Sequence, residues 1–415
     1  MVWSGFLSIV VFTVLSATVL WQSRNVVRGL RRALREGPES FRGDYTPPAC
    51  IVLCLKGSDP FLDRCLEALA HQDYPDYRLM VVVDSAQDEA IPHVERARQA
   101  FGKDRVEVVI RDVDLPTCSR KCNNMLSAYR RISDRVEVVA TCDGDAVAHP
   151  SWLRELVFPM RDPKVLATTG NRWYSPPAGD GAAFVRYCWN SIAVSEMANF
   201  HIPWGGSLAL RSEVFRDPLY LELLSEAFGE DTQLSRYLET RNTHIVSVLP
   251  LVMLNEEGTT FRSLWGFLER QMLSARLHHW AWPLILAEAL TIIFALCILP
   301  VIAAFGGLEN LLLGWLAPGV GYLAAVSLHT ARYEWLVRKS QKAWHGRTLP
   351  PMTVSRIVAT TVAMACTGFL YSAAILRAAV AREHVWRGVR YRFQNGRLSV
   401  DGPTAAVATV LSDAA

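Results

Sequence analysis

The chain has 415 residues, is 51% hydrophobic and carries a formal charge of only +3, with a positive mean hydropathy of +0.15. Such a chain holds one large globular domain plus membrane segments, and its hydropathy is unusual for a purely soluble enzyme. The small net charge argues against a nucleic-acid partner, and the nine cysteines, none in a Cys-x-x-Cys pair, argue against zinc and against a disulfide framework.

Val2 to Trp21 is a charge-free apolar run of about the ~20 residues needed to cross a bilayer, without a small-residue cleavage site. It reads as an anchor over residues 1–22. Arg24, Arg28, Arg31, Arg32 and Arg35 follow, so the positive-inside rule puts the next segment in the cytoplasm. Residues 45–260 alternate β-rich runs with helical periods, the pattern of an α/β domain with a mainly parallel sheet. The expected strands are Cys50–Leu55, Leu79–Val83 ending at Asp84, Val106–Ile110, and Val136–Thr141. After the first strand, Ser58-Asp59-Pro60 supplies cap signals, and Leu62, Cys65, Leu66 and Leu69 fall on one helical face.

Residues 261–280 mix Trp265, Phe267, Leu268 and Met272 with Arg270 and Arg276, as an interfacial helix would. Residues 281–330 hold two spans split by Gly306-Gly307, residues 331–356 a basic loop, residues 357–380 a third membrane segment, and residues 381–415 a basic tail. Glu288 inside the first of these spans needs either a protein- or water-lined setting or a snorkelling route to the interface. Counting every apolar segment as a crossing would put the Arg-rich tail outside, against the positive-inside rule. The last segment is therefore read as re-entrant or interfacial.

The most informative run is Val139-Ala140-Thr141-Cys142-Asp143-Gly144-Asp145, two carboxylates two positions apart beyond a buried strand. In open α/β sheets ligands bind beyond the carboxyl ends of such strands, and paired carboxylates suit Mg²⁺ or Mn²⁺ whose other positions go to water and phosphates. A nucleotide diphosphate is the natural guest.

Lys56-Gly57-Ser58-Asp59-Pro60, Tyr74-Pro75-Asp76-Tyr77, Val83-Asp84-Ser85, Lys121-Cys122-Asn123-Asn124, Asp143-Gly144-Asp145, Trp204-Gly205-Gly206-Ser207, Gly229-Glu230-Asp231 and the closing Trp386-Arg387-Gly388-Val389-Arg390-Tyr391 occur in one order along nearly the whole chain. In that order they resemble ceramide glucosyltransferases and related bacterial, hopanoid-type membrane glycosyltransferases of family 2. The resemblance implies a GT-A nucleotide-diphospho-sugar transferase fold, a Rossmann-like α/β domain joined to transmembrane helices. It implies a donor, most simply a UDP-sugar, with Asp84 at the uridine, Lys56 near the nucleotide, and Asp145 assisted by Asp143 on the metal that bridges the phosphates. Trp204-Gly205-Gly206-Ser207 would shape the acceptor side, with Trp204 and Gly205 also close to the donor. Asp231 would be the general base of an inverting displacement. Many relatives carry an Arg-Trp pair just before the spans; this chain has Arg270-Gln271-Met272-Leu273-Ser274-Ala275-Arg276 instead. Arg270, Gln271 and Arg276 are the expected counterparts facing the leaving diphosphate. The implied enzyme sits in the cell membrane and glycosylates a lipid acceptor. A processive polysaccharide synthase is disfavoured by the few spans, and a non-catalytic scaffold by the presence of Asp84, Asp145 and Asp231.

Overall fold

The computed structural model describes residues 2–400, with side chains from residue 5 onward; the rest of the tail, residues 401–415, lies outside the described residues. In chain order the elements are α1 (Val2–Glu36), β1 (Ala49–Leu55), α2 (Leu62–Ala70), β2 (Tyr77–Val83), α3 (Ile91–Phe101), β3 (Val106–Ile110), α4 (Arg120–Tyr129) and β4 (Val138–Cys142). Then come α5 (Trp152–Val157), β5 (Ala167–Tyr174), α6 (Gly181–Phe200), β6 (Ser207–Arg211), α7 (Ser212–Phe215), α8 (Pro218–Ser225), α9 (Glu230–Thr240), β7 (Val246–Asn255) and α10 (Phe261–His278). The membrane-type helices follow: α11 (Trp282–Ile293), α12 (Leu299–Phe305), α13 (Ala317–His345) and α14 (Val354–Val380). A hairpin unit of β8 (Glu383–Trp386), β9 (Val389–Gln394) and β10 (Arg397–Val400) closes the described chain.

The main sheet has the order β3-β2-β1-β4-β6-β5-β7. Its β3-β2-β1-β4 half is parallel, as expected, while β6 runs antiparallel to both β4 and β5, making the whole sheet mixed. β1 shows why both faces are covered. Its Ile51, Leu53 and Leu55 pack under α2, α3 and α5, while Cys50 and Val52 join the cluster under α4, α8 and α9. A third cluster joins α6, α10, α13, α14 and the second half of α1.

Among the described residues, four helical segments are long and apolar enough to cross a membrane: Gly5–Glu36, Trp282–Phe305, Asn310–His345 and Val354–Val380. Several boundaries differ from the sequence expectations. α1 does not stop at residue 22, because Val26, Val27 and Leu30 continue its helical period and bury against the domain. The 331–356 segment is not a loop. α13 runs on to His345, and its second half is fixed to the domain where Glu334 accepts hydrogen bonds from Trp173 Nε1 (2.6 Å) and Tyr187 Oη (3.2 Å). α10 also packs into the domain: Leu264, Leu268, Met272 and Leu273 are core, while Phe261 at its start and Trp280 just beyond its end stand out.

Both ends of α14 are tied to the α/β domain. Arg356 donates to the carbonyl of Pro176 (3.0 Å) at its start, and at its end Arg276 of α10 donates to the carbonyls of Ala378, Ala379 (3.3 Å) and Ala381 (2.8 Å). The tail is a folded antiparallel sheet against the domain, where Val400 N–H donates to the carbonyl of Pro116 (2.8 Å).

Candidate active site

The carboxyl ends of β1 and β4, the Trp204-Gly205-Gly206 turn before β6, the start of α9, one face of α10 and the tip of the tail sheet surround one cleft. β4 delivers Asp143 and Asp145 to its floor. Asp143 accepts from Lys121 Nζ (2.8 Å), and the same ammonium pairs with Glu230 (2.6 Å), so one cation bridges the two acidic motifs. Lys121 owes its place to the first turn of α4, capped by Ser119, whose hydroxyl accepts from Cys122 N–H. Neighbouring asparagines pin that helix: Asn123 Oδ1 accepts from Leu115 N–H (2.8 Å), and Asn124 Nδ2 donates to the carbonyl of Leu55 (3.3 Å).

Charge divides the two aspartates. Burial opposes ionisation of Asp143, yet the Lys121 ammonium outweighs it and holds the carboxyl below the usual range. Asp145 is pushed up by burial and by Asp143. Among the described residues its carboxylate makes no hydrogen bond or ion pair. A half-buried acid with acidic neighbours and no cation of its own is the donor set a divalent metal satisfies, and hard carboxylate oxygens suit Mg²⁺ or Mn²⁺.

Asp231 stands on the first turn of α9, where the helix dipole favours a negative charge. Its carboxylate accepts from Gly205 N–H (3.3 Å) and Thr232 N–H (2.7 Å). Burial and the adjacent Glu230 raise it to about 6. The paired glycines allow this convergence: a side chain at Gly205 would collide with the Glu230 carboxylate, and one at Gly206 with Asp143 and the Trp204 ring.

Asp84, at the end of β2, accepts from Lys56 Nζ (2.8 Å) and Arg111 Nε (3.1 Å); Lys56 itself lines the cleft. Trp204, Arg270 and Gln271 also line it, whereas Arg276 does not. Six residues carry the chain about 240° around a helix at ~100° per residue, so Arg276 faces away from Arg270 and caps the end of α14 instead. The expectation that Arg276 meets the diphosphate is corrected on that ground.

Sequence reading missed several residues of the cleft. Arg172 of β5 lies over the rings of Trp204 (5.0 Å) and Tyr174 (4.9 Å), facing the aspartates. At the tip of the tail sheet Arg387 and Gly388 adopt left-handed backbone (φ 48° and 75°), the geometry of a tight hairpin turn. That turn sends Arg387 to the carbonyl of Lys56 (2.8 Å) and to Asp59 (2.6 Å), while Trp386 lies under the Arg270 guanidinium (4.4 Å). The signals were a lone arginine beside Trp173 and Tyr174 and a tail motif with no role attached.

Behind Asp231 a second pocket runs between α6, α10, α11 and α14, sharing Trp204, Gln271 and Ser274 with the cleft and reaching Ile285 and Tyr371. Three of its buried side chains, Asn171 (Nδ2), Trp189 (Nε1) and Glu196 (Oε1), each have a polar atom without a hydrogen-bond partner among the described residues. Glu288 turns inward beside Glu196, which burial and this neighbour push up to about 8.

The family model described as glycosyl transferase family 21 matches residues 5–399. Among solved structures, the chain is similar to a mannosyltransferase from Pyrobaculum calidifontis in complex with GDP-Man and Mn²⁺, with 16% identity, a TM-score of 0.49, and coverage of 90% of this chain and 98% of that one. It is also similar to glucosyl-3-phosphoglycerate synthase from Mycobacterium tuberculosis in complex with Mn²⁺, UDP and glucosyl-3-phosphoglycerate, with 14% identity, a TM-score of 0.36, and coverage of 55% and 79%. No curated protein matches. With a charged cleft at the strand ends of its mixed sheet, the molecule is a glycosyltransferase. The chain belongs to glycosyl transferase family 21.

Proposed function

We propose that the protein transfers a sugar from a nucleoside-diphosphate donor, most simply a UDP-sugar, to a lipid hydroxyl with inversion at the sugar. The observation that carries this reading is the continuity of two pockets through Asp231: a charged cleft on one side and a pocket reaching the membrane-type helices on the other. Asp84, with Lys56, is assigned to the nucleoside end of the donor. Asp145 and Asp143 would hold the divalent cation, which when bound would offset the charge of the diphosphate. Arg270 and Gln271, with Arg387 and Lys121, supply fixed donors to the leaving diphosphate as its charge grows. Trp204 and Gly205 form the wall between donor and acceptor.

Asp231 takes the proton from the acceptor hydroxyl. It is suited to this because its raised pKa, about 6, leaves it ionised at neutral pH yet basic enough to share a proton. The unpartnered Asn171 and Trp189 donors and the Glu196 oxygen fit a lipid headgroup that carries both hydrogen-bond donors and acceptors.

In the membrane, the first half of α1, α11 with α12, and the first half of α13 are read as three crossings. They are supported by the Phe12, Leu15, Ile292, Ala295 and Leu299 cluster between them. α14 is read as lying against the domain at the interface, since both of its ends are bonded to that domain. Three crossings keep the domain and the Arg-rich tail on one side, the cytoplasmic side of the cell membrane by the positive-inside rule.

The deciding experiment compares lipid extracts by mass spectrometry after incubating purified protein with membrane lipids and UDP-sugars. A new lipid heavier by one sugar supports the reading. Transfer only to a water-soluble acceptor, or a ladder of many sugars, overturns it, the ladder in favour of a polysaccharide synthase.

A further inference from the structure

Away from the cleft, the loop that carries Asp143 and Asp145 ends at His149, and there it meets the end of α13. His149, Glu155 of α5 and His345 offer three ligand atoms that lie within 4.8 Å of one another. His149 Nε2, Glu155 Oε2 and His345 Nε2 are all buried and all lack a hydrogen-bond partner among the described residues, and the Glu155 side chain is fully buried.

The surrounding bonds fix what faces what. Glu155 Oε1 accepts from Arg42 Nε (2.6 Å) and from the Ser151 hydroxyl (2.7 Å). Having spent its proton there, Ser151 accepts from His149 Nδ1 (3.1 Å), so His149 Nε2 carries a lone pair. That lone pair faces Glu155 Oε2 at 3.6 Å, too far for a hydrogen bond. Two ligands of a tetrahedral zinc with bonds near 2.1 Å stand about 3.4 Å apart, so the gap has the width of a shared metal. The His345 ring lies against that of His149, centroids 3.9 Å apart and tilted by 36°, and brings a third ligand atom within 4.8 Å of the other two. Burial keeps the His149 imidazole neutral, the form a metal takes. Arg42 makes only a long contact of 3.4 Å to His345 Nδ1, so the imidazole can be released to a metal while Arg42 keeps Glu155.

We infer that His149, Glu155 and His345 form a transition-metal site, zinc by its two imidazoles and one carboxylate, that clamps the end of α13 to the loop bearing Asp143 and Asp145. Cysteine spacing is silent about it because no ligand is a cysteine, and the ligands lie 190 positions apart in sequence, from residue 155 to residue 345.

The test uses tag-free full-length protein in nanodiscs, stripped with chelator, in the Asp145→Asn background that disables the carboxylate site of the cleft. Zn²⁺ alone is titrated by calorimetry and retained metal is counted by mass spectrometry; Co²⁺ serves as a spectroscopic substitute. The expected result is one zinc per chain, tetrahedral Co²⁺ bands and a raised thermal midpoint. His149→Gln and His345→Gln, made separately, should each weaken zinc at least about 100-fold. If one of them fails to fold, the other and Glu155→Gln still decide. No saturable zinc site, or zinc binding unchanged in the histidine variants, overturns the inference. Zinc that vanishes with Asp145→Asn overturns it too, because the ion then belongs to the cleft. None of these results bears on whether the protein glycosylates lipids.

Discussion

The donor cleft and the pocket behind Asp231 share a wall but are built on opposite principles. In the cleft most charges have an ionic partner within the protein, Lys56 with Asp84, Lys121 with Asp143 and Glu230, Arg387 with Asp59, while Arg172 and Arg270 rest against aromatic rings. The pocket leaves Asn171, Trp189 and Glu196 buried with unused hydrogen-bonding atoms. A cleft of paired charges is pre-organised for a diphosphate, whereas a pocket with unsatisfied groups is completed only by what enters it. Asp145, which has no bonded partner among the described residues, belongs by this logic to a ligand as well.

The comparison breaks most sharply at Asp145. Asp145→Ala should lower turnover by on the order of 10³-fold or more while the thermal midpoint stays within a few degrees, and chelator should abolish the wild-type activity. Chelator-insensitive turnover would show that the unpartnered acid has another purpose.

Next in size is Asp231. Asp231→Asn should reduce transfer by about 10²-fold or more with donor affinity retained. The sign of the pH effect follows from its raised pKa. The base works only when ionised, so wild-type transfer should fall about tenfold per unit below a midpoint near 6 and level off above it. The same profile in Asp231→Asn should lose that acid limb; a limb that persists assigns the titration to another group.

A smaller effect separates the two pockets directly. Glu196→Gln should raise the KM for lipid acceptor by up to about tenfold, the value of about one hydrogen bond, and leave donor hydrolysis unchanged. Arg387→Ala should do the reverse, weakening the donor first. Measuring both KM values in both variants shows whether the two sides are independent.

The smallest expected effect on catalysis is at Arg276. Because its guanidinium serves the carbonyls that end α14, Arg276→Ala should cost roughly 2 kcal/mol of stability, seen as a lower unfolding midpoint, with KM for donor unchanged. A selective loss of turnover would return Arg276 to the active site.

Much of this molecule is legible in its sequence wherever chemistry and position are local. The strands β1 to β4 announce themselves by buried β-branched runs, and Asp84, Asp143 and Asp145 follow because a residue just past such a strand has nowhere to go but the ligand edge of the sheet. The α2 face of Leu62, Cys65, Leu66 and Leu69 was equally plain from its period. What the sequence could not decide is the work of long-range packing. β5 to β7 were missed because pairing partners set their order and direction, and β6 turns against its neighbours without any local mark. Arg270 and Arg276 look alike in sequence, and only the rotation of α10 against the cleft sends one to the site and the other to α14. α14 has the length and hydropathy of a membrane span, yet its two ends are bonded to the same domain, a fact visible only once the chain is folded. The tail brings Arg387 back across the whole chain to Asp59, since hydrogen bonds in a folded sheet act over distances that no sequence window spans.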